Sequence, residues 1–354
     1  MTKAELDNRK ILPLEDSWYR RVKEKLDGIA KPLDGLGKFE HLIAQIGAIE
    51  KTTRISIQKK AVLVMCADNG VVEEQVSQSG KEVTLAVAKA MGVNNSSVGK
   101  MAAVAGVDVI PVDIGIDTDE VIPGVLPRKV AKGTKNFARE PAMTEEEVLK
   151  AIETGIQLVQ QCHRDGYEIL ATGEMGIGNT TTSTAVAAAL LDLEVEQVTG
   201  KGAGLTDEAL KRKCRVIEDA IEKYSLREAD AFTILKTVGG LDIAGLTGIF
   251  IGAAIEQIPV VIDGVISAVA ALLAETLCKG AVNYMIPSHK SRELAETAIM
   301  KKLHLDPVLD ADMALGEGTG AVMMMSLLDV ALGVYLKGAS FANFEIEQYK
   351  RYEE

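Results

Sequence analysis

The densest concentration of chemically useful residues in this 354-residue chain is Gly173-Glu174-Met175-Gly176-Ile177-Gly178-Asn179-Thr180-Thr181-Thr182. Closely spaced glycines let backbone amides converge, and the Ala-rich stretch that follows reads as a helix. The run therefore suits a phosphate held at a helix N-terminus. No Gly-Lys-Ser/Thr follows, so it is not a Walker-type loop, and Thr181 stands where a dinucleotide fingerprint needs its third glycine. Threonine hydroxyls capping the helix are the plainer reading, but the glycines exceed what a cap needs. A second run, Gly202-Ala203-Gly204-Leu205-Thr206, also enters a helix, with Lys213 about two turns in. Lys213 can be a point charge for phosphate or a solvated member of Lys211-Arg212-Lys213. In a third run, Gly316-Glu317-Gly318-Thr319-Gly320, the glutamate is open to whatever approaches. It can be a general base whose pKa is raised by apolar neighbours such as Leu315, or a first-turn residue complementing the helix dipole.

Other segments carry weaker signals. Lys31-Pro32-Leu33-Asp34-Gly35-Leu36-Gly37 is punctuated like a fixed loop. Ser288-His289-Lys290-Ser291 offers hydrogen bonds at a strand end, with His289 more often structural than catalytic, and Glu82 reads as a first-turn helix residue. The four cysteines and four histidines are scattered without paired spacing. Free thiols are expected, with neither a disulfide frame nor a tightly bound metal, and no cofactor is called for.

Positioning these runs requires an alternating scaffold. Apolar runs at Ala61–Ala67, Val107–Val112, Glu168–Thr172, Ala231–Val238 and Pro259–Ile262 read as strands buried on both faces of a parallel sheet. Helical periodicity marks residues 83–91, 95–105, 145–164, 180–190, 207–223, 267–277, 291–303 and 320–336. The fold class is therefore α/β, a parallel sheet flanked by helices. Helices at Trp18–Ile29 and Gly37–Ile49 precede it. The expected strand ends, Asp68-Asn69-Gly70, Asp113-Ile114-Gly115, Gly173-Glu174, Gly239-Gly240-Leu241-Asp242 and Asp263-Gly264, pair glycine with a carboxylate. Together they suggest one shared pocket at the carboxyl ends of the strands.

Composition narrows the function further. Hydrophobic residues make up 47% and charged residues 25%, ample for a sizeable core, and the net charge is −12. So acidic a chain is a poor nucleic-acid binder, because that affinity comes from Lys and Arg on phosphates. The most apolar region, Leu246–Leu277, carries Glu256, Pro259, Asp263 and Glu275, so no membrane span is expected there. The first ten residues lack a signal-type apolar core, and a cytoplasmic protein is expected.

In order, KPLDGLG, ADNGV, KEVT, GEMGIGNTT, GAGL with Lys213, GGLDIA, IDG, SHKS and GEGTGA resemble the nicotinate-nucleotide–dimethylbenzimidazole phosphoribosyltransferase family, from about Lys31 to Tyr335. The resemblance implies a Rossmann-like large domain, residues 56–319. It also implies a smaller helical domain from both chain ends, 1–55 with about 320–354, and a homodimer. The implied reaction moves phosphoribose from nicotinate mononucleotide to a lower-ligand base, giving an α-ribotide and nicotinate in cobalamin-type cofactor synthesis. By the same match Glu317 is the base and Glu174 an electrostatic helper. Phosphate contacts fall to Gly176, Gly178, Asn179, Thr180, Gly204 and Lys213, and further substrate contacts to Ile177, Gly202, Ser291, Leu315 and Ser79. Two segments depart from many relatives: Asn69 replaces a histidine, and Ser77-Gln78-Ser79-Gly80 replaces a Ser-x-Tyr-Pro-like stretch. A more polar, more flexible acceptor loop with relaxed base choice is the expectation. The rivals are a nucleotide-dependent oxidoreductase, for which Glu194 would be the acidic residue beyond the glycine loop, and a non-catalytic nucleotide or corrinoid-precursor binder.

Overall fold

A computed structural model describes residues 1–202 and 204–351; Ala203 of the second glycine run and the last three residues lie outside it. Six parallel strands form the main sheet: β1 (Lys60–Ala67), β2 (Val107–Gly115), β3 (Leu126–Pro127), β4 (Ile169–Met175), β5 (Val260–Ile262) and β6 (Met285–Pro287). Their order is β3-β2-β1-β4-β5-β6, and a small parallel pair, β7 (His289–Lys290) and β8 (Leu309–Asp310), stands apart. Lys60 of β1 is in register with Val107 of β2 on one side and Ile169 of β4 on the other.

Helices α1 (Lys3–Asp7), α2 (Asp16–Asp27) and α3 (Lys38–Ile49) precede the sheet, and α4 (Glu82–Gly92) and α5 (Ser97–Ala105) join β1 to β2. Helix α6 (Glu145–Arg164) leads into β4. Between β4 and β5 lie α7 (Asn179–Leu191), α8 (Val195–Val198), α9 (Asp207–Lys223), α10 (Ala231–Val238) and α11 (Leu241–Glu256). Then come α12 (Val265–Leu277), α13 (Leu294–Leu303) and α14 (Thr319–Lys337).

Every residue of β1 is buried, and the period-two alternation of a strand divides its side chains between two cores. Ala61, Leu63 and Met65 face the core built with α6, α7, α11 and α12. Val62, Val64 and Cys66 face the core shared with α2, α3, α5 and α14. The two chain ends meet on that second side: Ala30 N–H donates to Ala339 O at 2.8 Å, and the Arg351 guanidinium holds both Asp27 and Asp34.

One expectation fails here, and one helix was not foreseen. Ala231–Val238 is helix α10, not a strand. Asp230 caps it by accepting the Thr233 N–H at 2.7 Å. Ala231, Phe232, Ile234, Leu235 and Val238 then share the buried face, and a short apolar run does not by itself distinguish a strand from a buried helix. Helix α11 had no place in the sequence reading because it is apolar all round, with no amphipathic stripe to betray it. Helix α14, expected from its periodicity, is the one helix among the described residues long and apolar enough to cross a membrane. It packs instead against α3, α5, β4 and β5.

Glycines let α11 lie directly on α6. A Cβ on Gly248 would sit 2.0 Å from Ile152 O, and one on Gly155 would sit 2.1 Å from Gly245 O. Backbone cannot yield as a flexible side chain can. Gly248→Ala is therefore expected to cost about 2 kcal/mol, at the overpacking scale, and to lower the melting temperature. A thermal melt with unchanged Tm would show that the two helices have room to part.

Candidate active site

The chain leaves β1 toward β2 and leaves β4 toward β5, in opposite directions along the sheet, so a crevice opens between the carboxyl ends of β1 and β4. The cleft there holds about 230 Å³ and is walled by the loop after β4, the Ser77–Gln78 segment, the start of α12, and Leu315–Glu317.

The loop after β4 needs its glycines for close approach. A Cβ on Gly176 would lie 2.6 Å from Ala67 O and 2.8 Å from an Asp242 carboxylate oxygen. Gly178 has φ +95° and begins α7, which has no side-chain cap. The helix start is thus left open to an anion. Ile177 N–H donates to Thr84 Oγ1 at 3.1 Å, so the KEVT segment pins this loop from α4. Lys213 reaches the same place from α9. It is fully buried, and its Nζ donates to Thr180 Oγ1 at 3.1 Å and Gly200 O at 3.2 Å. The reading of Lys213 as a solvated surface charge is therefore wrong. Burial lowers its pKa to about 8, an effect that the Glu293 charge opposes.

Two glutamates meet across the cleft. A Cβ on Gly316 would touch Glu174 Oε1 at 2.7 Å, so the Glu174 carboxyl lies against the Gly316-Glu317-Gly318 turn. Their surroundings differ. Glu174 is buried, and desolvation, with the charges of Asp242, Asp263 and Glu317, raises its pKa to about 8. The Asn179 amide donates to both Glu174 and Asp242, which limits the rise, and Asp242 stands at about 6. Glu317 is half-buried and accepts the Val98 N–H at 2.9 Å, in the first turn of α5, where amides complement negative charge. Its own backbone is left-handed, φ +62°, between Gly316 at +84° and Gly318 at +90°.

The cleft gathers Glu174, Gly176, Ile177, Gly178, Asn179, Thr180, Gly202, Ser291, Leu315 and Glu317 on its walls. Lys213 stands one layer behind, through Thr180. Gly204 lies at its edge, its carbonyl accepting from Gln78 Nε2 at 2.6 Å. Ser79 is not on the wall; its neighbours Ser77 and Gln78 are. Asn69 is also absent from the wall: it is fully buried beneath the loop, with Nδ2 3.5 Å from Ile177 O. Sequence reasoning missed Val265, Ile266 and Glu293 as wall residues, while Gln78 belongs to the segment it had read as the acceptor loop. Of these, Val265 and Ile266 follow directly on the Asp263-Gly264 strand end that had been singled out. His289 is buried with Ser288 against Asp263 and Gly320, a structural position. The Lys31–Gly37 loop is stapled by buried Glu40, which accepts from Lys31, Lys23 and the Leu36 amide, and it lies outside the cleft wall. Glu194 lines a separate groove between α8 and α9, away from where a dinucleotide ribose would need an acidic partner.

Comparison with known proteins gives consistent results. The family described as Phosphoribosyltransferase (DBI_PRT) matches residues 11–346. The nicotinate-nucleotide–dimethylbenzimidazole phosphoribosyltransferase of Acetivibrio thermocellus is 44% identical over 329 residues, covering 93% of this chain and 94% of the relative. That of Clostridium acetobutylicum is 42% identical over 337 residues, 95% of this chain and 96% of the relative. Among solved structures, CobT from Thermus thermophilus superposes with a TM-score of 0.89 at 33% identity, covering 94% of this chain and 100% of that one.

The raised pKa of Glu174 has a consequence for stability. Between its unfolded value of 4.5 and its folded value of about 8, the native state keeps a proton that the unfolded chain has released, so stability falls as pH rises through that window. Glu174→Gln is expected to melt above the wild type at pH 8, with the difference closing toward pH 4. Parallel melting curves across this range would mean that the carboxyl is already ionised in the folded protein.

Proposed function

The chain belongs to the nicotinate-nucleotide–dimethylbenzimidazole phosphoribosyltransferase family, and on that footing we propose that this cleft passes phosphoribose from nicotinate mononucleotide to a lower-ligand base, with Glu317 taking the acceptor's ring proton. The protein is a phosphoribosyltransferase of cobalamin biosynthesis. The observation that carries the residue assignment is the meeting of two unlike glutamates beside a glycine-framed, lysine-backed anion cradle in one cleft.

The donor's pyridinium is a good leaving group, because the C1′–N bond breaks with its electron pair neutralising the ring. What the protein must supply is position and proton removal. Amides of Gly176, Gly178, Thr180 and Gly202, with the Lys213 charge behind Thr180, hold the donor phosphate. Glu174, which burial favours as the acid, gives its proton to solvent as the donor's cationic ring arrives, faces the positive charge developing at the sugar, and takes a proton back when the products leave. The acceptor's ring nitrogen bonds to C1′ as its N–H proton passes to Glu317, which closes the balance: a base ribotide, nicotinate and one proton. Ser77 and Gln78 give the cleft a polar wall. On it we rest a relaxed acceptor choice that extends to other benzimidazoles, purines or phenolic bases.

The homodimer implied by the family has a matching surface. Met323 and Val330, two turns apart on one face of α14, are exposed, and α5 packs beside that helix with Val104 91% exposed. An unpartnered patch of this kind suits a second copy. Since α5 also donates to Glu317, that interface would lie directly behind the base. The helical unit built from both chain ends, and a cytoplasmic setting, complete this reading.

Glu317→Gln is expected to fold normally and lose about 10²–10⁴-fold in kcat, the usual worth of proton transfer. Turnover near the wild-type rate would remove the base role. Purified protein given nicotinate mononucleotide and a panel of bases should release nicotinate and form several ribotides; exclusive use of dimethylbenzimidazole would overturn the relaxed choice. In sedimentation the wild type is expected as a dimer and Val330→Glu as a monomer, and an unchanged dimer in the variant would place the interface elsewhere.

A further inference from the structure

The phosphate cradle is already occupied by a carboxylate of the chain itself. Glu293, at the head of α13, turns its side chain into the cleft. Its Oε1 accepts the Gly202 N–H at 3.1 Å. Its Oε2 rests so closely on Gly200 that a Cβ there would fall 1.9 Å from it. Gly200 in turn offers its carbonyl to Lys213 Nζ at 3.2 Å, and Lys213 also holds Thr180. The carboxylate thus takes an amide of the cradle, and its charge reaches the Lys213 ammonium group through the shared Gly200.

We propose that Glu293 is a phosphate-mimicking latch, a residue that occupies the anion cradle in the absence of donor and must be displaced by the donor's phosphate. This rests on the reading that Gly202 and Lys213 hold that phosphate. A phosphate seated at Gly202 needs the hydrogen bond that Glu293 now takes, and its negative charge is repelled by a carboxylate left in place. Two consequences follow from the chemistry. Glu293 keeps the Gly202 amide partnered, so that side of the cradle is held in a binding-competent shape. An anion entering alone must compete with a tethered carboxylate, whereas a nucleotide brings ribose and ring contacts that help it to do so. The residue therefore sets how strong an anion the cradle admits, and it guards the cleft against free inorganic phosphate. Glu293 moves with its neighbour Ser291, whose hydroxyl accepts the Glu293 N–H at 3.3 Å, so one displacement would carry both residues of the wall.

The test uses the intact protein and inorganic phosphate as the probe. Inhibition by phosphate against nicotinate mononucleotide is measured for the wild type, Glu293→Gln and Glu293→Ala, each checked by thermal melting. Competitive inhibition is expected throughout, with the inhibition constant falling roughly fivefold in Glu293→Gln and further in Glu293→Ala, as a charge-assisted contact is first weakened and then removed. The KM for the donor is expected to fall in parallel. Equal inhibition constants in all three proteins would overturn the latch while leaving the cradle assignment standing. A rise in KM on substitution would also overturn it, making Glu293 a substrate contact. Phosphate that fails to compete with the donor in any of the three would overturn both the latch and the reading of Gly202 and Lys213 as the phosphate site.

Discussion

The site depends on one buried carboxylate that takes no direct part in binding. Asp263, at the carboxyl end of β5, accepts the Gly318 N–H at 3.2 Å and the Ala321 N–H at 3.0 Å. It thereby caps α14 across the fold, where the helix has no cap of its own. The turn that presents Glu317 holds three successive left-handed residues, one of them not glycine. Such a conformation persists only where its surroundings over-determine it. Three contacts do so here: Asp263 from the sheet, the β4 backbone at Gly173, and the α5 amide on the Glu317 carboxylate itself. At Gly173 the approach is so close that a Cβ would lie 2.6 Å from Glu317 O. The sheet, the second core and the base loop are thus one mechanical unit.

The strand order explains why so many carboxylates meet there. All six strands are parallel, so every carboxyl end opens on the same edge, and residues just past β1, β4 and β5 converge. Packing Asp68, Glu174, Asp242 and Asp263 together out of water costs solvation, and burial raises the pKa of each. The chain answers with donors fixed in place: Asn179 between Glu174 and Asp242, the Asp117 amide on Asp68, and the α14 amides on Asp263. Opposite this acidic floor, the buried ammonium of Lys213 and the uncapped start of α7 make the other end of the cleft attractive to anions. A substrate that is cationic at its ring and anionic at its phosphate fits that polarity along its length.

Much of this was legible in the chain because chemistry and backbone demand coincide. Where a glycine is required by close approach and its neighbour is a carboxylate, as at Gly173-Glu174 or Gly316-Glu317-Gly318, the motif announces both the turn and the site. The strands β1, β2, β4 and β5 were visible as continuous apolar runs bounded by such motifs. Helices α10 and α11 were not, because a buried apolar run has no periodicity to separate helix from strand; even so, the Gly240-Leu241-Asp242 segment reached the site, as the start of α11 and not as the end of a strand. Lys213 was ambiguous for a related reason. Its burial depends on the rotation of α9, which turns Lys211 outward and Lys213 inward, and a run of like charges conceals that difference. Glu293 sits in a segment whose local sequence says only helix, so its presence in the cleft is a purely tertiary fact.

The two cleft glutamates show how one fold separates two roles for one side chain. Both are flanked by glycine and both lie within reach of the same substrate, so residue type does not distinguish them. Environment does. Glu174 is enclosed, and desolvation together with the charges of Asp242, Asp263 and Glu317 favours its protonated form, against which the Asn179 amide that it shares with Asp242 works only in part. Glu317 stands half-open on a turn, its carboxylate accepting the Val98 N–H from the start of α5, so it faces the cleft free of the acidic floor that encloses Glu174. Exchanging their backgrounds, not their identities, would exchange their roles. A base must also be regenerated after each turnover, which the more open position of Glu317 makes direct. The fold therefore places its proton acceptor on the exposed, strained turn and tolerates the cost of that strain, while the enclosed strand end is left to respond to charge.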